Sequence, residues 1–344
     1  MKKVVLESGS ALLITDRLSR KYFSGVDVAE GVVVIKDGVT VLTDSRYFYA
    51  VEKECNEVGV DCKLYVGFES IKELLVDMHV DNLYIDYNVT TLREYEQYKT
   101  FGIKLSDGAN LIENARAIKT KEELDNIRKA CQIIEKAYHS AIKQVRLGMS
   151  ELELKNIIDN YAVEFGAEGS SFDTIVAFGE NSAIPHHETG ETLLTNNSVI
   201  LIDTGCKVNG YCSDLTRTAF FGSPSKKFLD CYQAVLKANL IAEENIKDGT
   251  TCKQADAFAR DHLKQHDLDV FFTHSLGHGL GLEVHEYPRL SPKGEGVLKN
   301  NIAFTVEPGV YFNGEFGIRI EDTVALIDGK LERMFSDDKK LIIL

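Results

Sequence analysis

One stretch with helical periodicity and several short, wholly apolar runs organise this chain. From Leu124 the apolar positions Ile127, Cys131, Ile134, Tyr138, Ala141 and Val145 step alternately by three and four residues. That spacing draws one stripe along a helix and directs it at a core. Thr120 and Glu123 form a capping box at its start, where hydroxyl and carboxylate satisfy the first unpaired amides, and Gly148 is placed to end it. Ser150 and Glu153 repeat the box for a second helix. Upstream, Val32–Ile35 and Val39–Leu42 are short β-rich runs with helix-like stretches between them, the pattern of a small α/β domain. The polar stretch near 112–120 separates the two patterns, so one domain is expected over 1–115 and another over 116–344.

The second region repeats itself. Val145-Arg146-Leu147-Gly148-Met149-Ser150 is echoed 101 residues later by Ile246-Lys247-Asp248-Gly249-Thr250-Thr251, each joining a long helix to a shorter one. Val199-Ile200-Leu201-Ile202-Asp203-Thr204-Gly205 is echoed 104 residues on by Ala303-Phe304-Thr305-Val306-Glu307-Pro308-Gly309, and Asp214-Leu215-Thr216 is echoed 107 residues on by Glu321-Asp322-Thr323. A duplicated helix–helix–strand–strand unit accounts for all three echoes. Chance similarity of apolar runs is the competing explanation, and the acids argue against it.

An acid closing an aliphatic strand is costly to bury unless it is paired or holds a cation. One such acid is ordinarily a turn residue or a cap. Here there are four, in two equivalent pairs: Asp203 with Asp214, and Glu307 with Glu321. Asn209-Gly210 is a type I′ hairpin signal. With those two residues as the loop, Val208 faces Tyr211, Gly205 faces Asp214, and Asp203 lies diagonal to Asp214 on one face. Diagonal neighbours are about 7–8 Å apart, from where two carboxylates can bridge cations about 3.5–4 Å apart. In the second pair, a two-residue loop at Asn313-Gly314 would turn Glu321 to the wrong face. A three-residue loop or a bulge is therefore predicted there. The segment from His274 to His285 brings three histidines, His274, His278 and His285, among closely spaced glycines. A regular helix is disfavoured by those glycines, so a loop or strand that brings imidazoles and backbone close to a site is expected.

Composition narrows the chemistry. The chain has 344 residues, 44% of them hydrophobic and 27% charged, which suits two folded domains and excludes a disordered chain. Its formal net charge of −14 repels phosphate backbones and anionic bilayers, so neither nucleic acid nor a membrane is expected as a partner. No apolar run reaches the roughly 18–20 residues needed to span a bilayer. Met1–Lys3 precede only Val4, Val5 and Leu6 before Glu7, so no leader is expected. Seven cysteines without a C-x-x-C pair fit reduced thiols in a cytoplasm. Cys206 and Cys212 flank the first hairpin turn but lack the further thiolates of a structural zinc site. Four carboxylates and a histidine suit hard or borderline divalent ions such as Mn(II), Co(II) or Fe(II) better.

In this order and context, Asp203, Asp214, His278, Glu307 and Glu321 resemble the site of the proline-directed metallopeptidases with the pita-bread fold. The matching stretches are Leu201–Gly205, Tyr211–Thr218, Thr273–Arg289, Thr305–Gly309 and Arg319–Asp322. Weaker likeness continues upstream at Leu42–Tyr47. The resemblance implies a small N-terminal α/β domain followed by an α+β pita-bread catalytic domain with a pseudo-twofold duplication. It implies two divalent metal ions, Mn or Co, with Fe or Zn as alternatives. Asp203 and Asp214 would hold one ion, Asp214, His278 and Glu307 the other, and Glu321 would bridge them. A hydroxide held between the metals would be the nucleophile, with Glu307 taking the water proton. His274 and His285 resemble groups that steady the oxyanion and substrate, and His186 resembles a further substrate-facing histidine, although His187 is adjacent. Arg289 resembles the arginine that clamps a free dipeptide carboxylate, with Arg319 as a second candidate or else a partner of an acid. The expected activity is an Xaa-Pro dipeptidase (prolidase). An Xaa-Pro aminopeptidase acting on longer peptides is the alternative, with a non-catalytic binding module or a metal-free hydrolase on the same fold as rivals. A cytoplasmic homodimer acting on Xaa-Pro peptides completes the expectation.

Overall fold

The computed structural model describes residues 4–344; Met1–Lys3, which open the stretch expected to carry no leader, lie outside the described residues. The chain divides into two compact units, Met1–Arg116 and Ala117–Leu344. In the first, a six-stranded mixed sheet runs in the order Asp61–Leu64, Val39–Thr43, Gly31–Ile35, Ser10–Ile14, Asn82–Ile85, Lys104–Asp107. The two β-rich runs form its antiparallel hairpin, with Ile35 opposite Val39. Strand Ser10–Ile14 is buried throughout. Its side chains alternate between two cores: Ala11 and Leu13 pack with Val34 and Leu83, while Leu12 and Ile14 pack with Val33 and Val41. A strand covered on both faces reads as a near-continuous apolar run, here Ala11–Ile14 after Ser10.

The second unit opens on the capping box. Thr120 caps helix Lys121–Ala141, its hydroxyl accepting from Glu123 N–H at 3.2 Å while the Glu123 carboxylate returns to the Thr120 amide. The helix is shorter than its stripe predicts. It passes into a 3₁₀ turn at Ile142–Gln144, and Val145 is already extended, so Gly148 lies in the following loop rather than at the helix end. Spacings of three and four are compatible with either helix type, so side-chain pattern alone does not register the tightening. Ser150 caps helix Glu151–Glu164 through Glu153 N–H at 3.1 Å, but only half of the predicted box forms. The Glu153 carboxylate pairs with Arg146 instead.

The sequence echoes are a structural duplication. The pair of 21 and 14 residues just described returns as Lys226–Asn245 and Cys252–Lys264, of 20 and 13 residues. Each pair covers its own sheet. One sheet orders Leu215–Phe221, Ser198–Thr204 and Ile175–Phe178; the other orders Glu286–Leu290, Gly277–Gly279, Ala303–Val306, Asp322–Ile327 and Lys330–Arg333. Ile200 and Ile202 pack under the first helix pair, and Phe304 and Val306 under the second. The strand period of two therefore turns Asp203 and Glu307 to the opposite faces. Helices outside, duplicated sheets inside and acids on the inner faces make up the pita-bread architecture. Among the described residues no helix is long and apolar enough to cross a membrane.

Candidate active site

Two hairpins carry the acids. In the first, Asn209 and Gly210 both adopt positive φ, 49° and 79°, and Val208 pairs with Tyr211. The same register continues to Thr216 opposite Asp203, leaving Asp214 diagonal to Asp203 on one face. Gly205 stands where the strands approach closest; a Cβ there would lie 2.0 Å from the Ser213 carbonyl oxygen and 2.2 Å from Ser171 Oγ. In the second hairpin Phe312 pairs with Phe316 across the loop Asn313-Gly314-Glu315. This is the three-residue loop that parity requires. Further along, Val306 faces Asp322 and Thr305 faces Thr323, so Glu307 and Glu321 enter at the same step. Helix Lys226–Asn245 fixes both points: buried Asn239 donates to the carbonyls of Val306 and Ile320, the residues preceding the two glutamates.

Asp214, His278 and Glu321 each offer a ligand atom, all within 4.8 Å of one another. His278 Nε2 lies 3.3 Å from Glu307 Oε1 and 3.7 Å from Asp214 Oδ2. The opposite ring nitrogen, Nδ1, donates to the Gly279 carbonyl at 3.1 Å, which assigns the proton to Nδ1 and leaves the Nε2 lone pair facing the acids. Asp203 joins through Arg319, whose Nη2 donates to its Oδ2 at 2.6 Å. Asp203 Oδ1 is buried without a hydrogen-bond partner. Threonines orient the remaining acids. Thr216 donates to Glu321 at 2.6 Å and Thr305 to Glu307 at 3.1 Å.

Electrostatically the cluster is over-supplied with negative charge. Burial, then repulsion from Glu321 and Asp203, holds the Asp214 carboxyl well above its ordinary range. Glu321 is raised well above its range by burial and by Glu307. Glu307 is pushed up to about 8 by burial, against the pull of Arg319. Burial and the neighbouring His285 lower His278 to about 4, so its imidazole is neutral at ordinary pH. Four carboxyl groups, one neutral imidazole and one guanidinium thus crowd together with too little positive charge for all the acids to ionise, and one buried oxygen of Asp203 has no donor. This donor set fits hard divalent cations.

The other expected residues fall into two groups. His274 lies beside the cluster, its Nδ1 donating to the Ser275 carbonyl and its Nε2 bonded to Tyr311 Oη, both at 2.9 Å. Burial and the Arg319 charge lower it to about 3. The ring of His285 stands edge-on to His278 at 4.3 Å. His186 is exposed, near enough to His274 and His285 that its charge would disfavour theirs. The adjacent His187 is instead tied to Glu151 at 2.9 Å, which separates the two candidates. Arg289 is exposed, with Nε on Ser275 Oγ at 3.0 Å, beside a cleft of about 650 Å³ that His274 and Tyr287 also line. Arg319 takes the second of its two expected readings, the partner of an acid. It is buried, and all three of its nitrogens are committed: Nε to Thr216, Nη1 to Tyr311 and the Pro185 carbonyl, Nη2 to Asp203. A guanidinium so engaged braces an acid.

Tyr311, Thr216 and Thr305 escape sequence reading. Tyr311 accepts from Arg319 at 2.7 Å and, through its bond to His274, links Asp203 to that imidazole. No local signal marks it, since Glu307 follows strand Ala303–Val306 while Tyr311 lies in the separate strand Gly309–Phe312. All seven cysteines are free thiols, and Cys206 is buried against the Ala130 carbonyl, away from any metal role.

Comparison with known proteins converges on the same region. Residues 125–328 match the model of metallopeptidase family M24, and residues 7–118 match the creatinase/prolidase N-terminal domain. A curated Xaa-Pro dipeptidase of Pyrococcus furiosus is 37% identical over 328 residues, covering 93% of this chain and 92% of that protein. A solved Xaa-Pro dipeptidase from Bacillus anthracis superposes with a TM-score of 0.92 at 34% identity, covering 97% of this chain and 95% of that one. An X-Pro aminopeptidase from Thermotoga maritima superposes with a TM-score of 0.86 at 32% identity, covering 97% of both chains. The chain belongs to metallopeptidase family M24 and is a peptide hydrolase of that family.

Proposed function

We propose that this chain is a divalent-metal-dependent Xaa-Pro dipeptidase. The observation that carries the reading is the convergence of four carboxylates and His278 Nε2 around a single guanidinium, with Asp203 Oδ1 buried and partnerless. Asp203 and Asp214 would hold one cation, Asp214, His278 and Glu307 the other, with Glu321 shared. When bound, such a pair, Mn(II) or Co(II) in this reading, supplies Lewis acidity that activates water and polarises the scissile carbonyl. The chain's own residues do the rest. Glu307, with Oε1 taken by Thr305, keeps Oε2 to accept a proton from the attacking water. His274, neutral and protonated on Nδ1, is held by Tyr311 beside the reacting carbonyl. His186 and His285 face the substrate. Arg289 uses only Nε on Ser275, so its terminal nitrogens can take the free carboxylate of a dipeptide bidentately.

One observation favours a second reading. The cleft beside Arg289 continues to Ser291 and Lys293, which is room for an Xaa-Pro aminopeptidase substrate longer than a dipeptide. Matched Xaa-Pro and Xaa-Pro-Xaa substrates, assayed with Mn(II) or Co(II), separate the two. The dipeptide should be cleaved faster. Arg289→Ala should lose about 10- to 100-fold on the dipeptide, the worth of a charged hydrogen-bonded pair, and less on the tripeptide. Faster tripeptide cleavage would favour the aminopeptidase, and no proline release by metal-loaded protein would end both readings. A cytoplasmic homodimer is part of the proposal, to be checked by light scattering and cell fractionation.

A further inference from the structure

The loop from Phe178 to Gly190 carries His186 but has only one short 3₁₀ turn, Gly179–Ala183, to stiffen it. Its rigidity comes from a carboxylate outside the loop. Glu151, the first residue of helix Glu151–Glu164, is fully buried and accepts four hydrogen bonds. Oε1 takes Phe178 N–H and Asn181 Nδ2, each at 2.8 Å. Oε2 takes His187 Nε2 at 2.9 Å and Gly190 N–H at 3.2 Å. The donors come from the start, the middle and the end of the loop. Within it, His187 N–H donates to the Ile184 carbonyl at 3.2 Å, closing the turn Ile184-Pro185-His186-His187. From the other side Arg319 donates to the Pro185 carbonyl at 3.4 Å. His186 thus sits between two anchored neighbours, one tied to Glu151 and one to the guanidinium that braces Asp203.

We propose that Glu151 and His187 are positioning residues that set His186 over the candidate metal site. A carboxylate suits this task because it only accepts: Phe178 N–H, Asn181 Nδ2 and Gly190 N–H only donate, and His187 Nε2 donates to it in the tautomer protonated there. Glutamine cannot satisfy all four, since its NH₂ would face a backbone N–H, that of Phe178 or that of Gly190. His187 therefore acts as a fixed Nε2–H donor rather than as a substrate group, and the two adjacent histidines divide into an anchor and a presented ring.

The test joins a conformational readout to a kinetic one. In Glu151→Gln, amide exchange over 178–190 should accelerate by about tenfold or more, while 198–221 and 303–327 stay protected and metal content per chain is unchanged. The kinetic arm rests on the Xaa-Pro reading. There, Glu151→Gln should lower kcat/KM by about tenfold, within the range for groups that orient others, and should add no further loss in a His186→Ala background. His187→Phe should reproduce both effects, and His187→Gln, which keeps an N–H donor, should recover part of each. Unchanged exchange in both Glu151→Gln and His187→Phe would overturn the inference, as would loss of metal from Glu151→Gln or full multiplication of its loss with that of His186→Ala. If the wild-type protein cleaves no Xaa-Pro peptide, the proposed function fails, and the exchange experiment still decides whether Glu151 holds the loop.

Discussion

Loading the site with metal should release protons, and they should come from carboxylic acids rather than from histidine. A carboxyl whose pKa is raised by burial and like charge keeps its proton in the metal-free protein. Glu307, pushed up to about 8, is more than about nine-tenths protonated at pH 6.5 and about one-tenth protonated at pH 9. A cation must displace that proton to bind. Asp214 and Glu321 are raised too and add to the count, whereas His278, lowered to about 4, has no proton to give on Nε2. At least about one proton per chain should therefore leave at pH 6.5, with the Glu307 share vanishing as pH rises through about 8. Equivalently, each such proton weakens apparent metal affinity about tenfold for every unit that pH falls below that point, or about 1.4 kcal/mol. The same sign governs stability. For Glu307 the metal-free fold keeps its full stability below pH 4.5 and loses it as pH climbs through about 8, a loss that bound metal removes. Calorimetric titration with Mn(II), in buffers of equal pH but different ionisation enthalpy, counts the protons. Near-zero release at pH 6.5, or release appearing only below about pH 5, would refute the reasoning, since the latter is what a titrating His278 would give.

Three further outcomes are expected. Asp214→Asn should weaken metal binding by more than about tenfold, since loss of a mere orienting partner already does that much, and should lower turnover with it; wild-type metal content and rate would refute the assignment. Gly205→Ala should destabilise the catalytic unit by about 1–3 kcal/mol through overpacking, because the new methyl meets the Ser213 carbonyl at 2.0 Å; an unchanged urea midpoint would contradict the close approach. Arg319→Met should lower the stability of the chelator-treated protein by about 3–5 kcal/mol, the range for breaking a buried ion pair, and by less with metal bound; equal losses in both states would mean that Arg319 does not offset the acids.

The parts of the fold readable in the sequence were those set by local chemistry. Thr120 and Glu123 announce a helix start because their side chains satisfy amides within one turn. Asn209-Gly210 announces a hairpin because both residues tolerate positive φ. Where a second partner competes, local reading fails. Glu153 had the right spacing for a box, but Arg146 took its carboxylate. The first helix tightened into a 3₁₀ turn at Ile142 while its apolar stripe ran on. Strand order in the N-terminal sheet, with Ser10–Ile14 between Gly31–Ile35 and Asn82–Ile85, depends on pairings that no local signal encodes.

The acids were legible for a different reason: parity converts spacing into facing. In a strand pair, moving one residue flips a side chain to the other face. Demanding that Glu307 and Glu321 share a face therefore forces an odd loop, and the loop at 313–315 has three residues. A demand of chemistry thus fixed a detail of backbone. The converse holds for Arg319. Its place in Arg319-Ile320-Glu321 shows only that it lies two residues from an acid, on the same face. Whether it reaches toward a substrate or back into the sheet depends on what stands across from it. Asp203, Thr216 and Tyr311 come from three other strands, and together they occupy every nitrogen. Arg289 has a single partner, Ser275, and stays open to the cleft. Two arginines named for a carboxylate, Arg289 first and Arg319 second, thus differ in their commitments in the folded chain, and such commitments assemble only from residues distant in sequence.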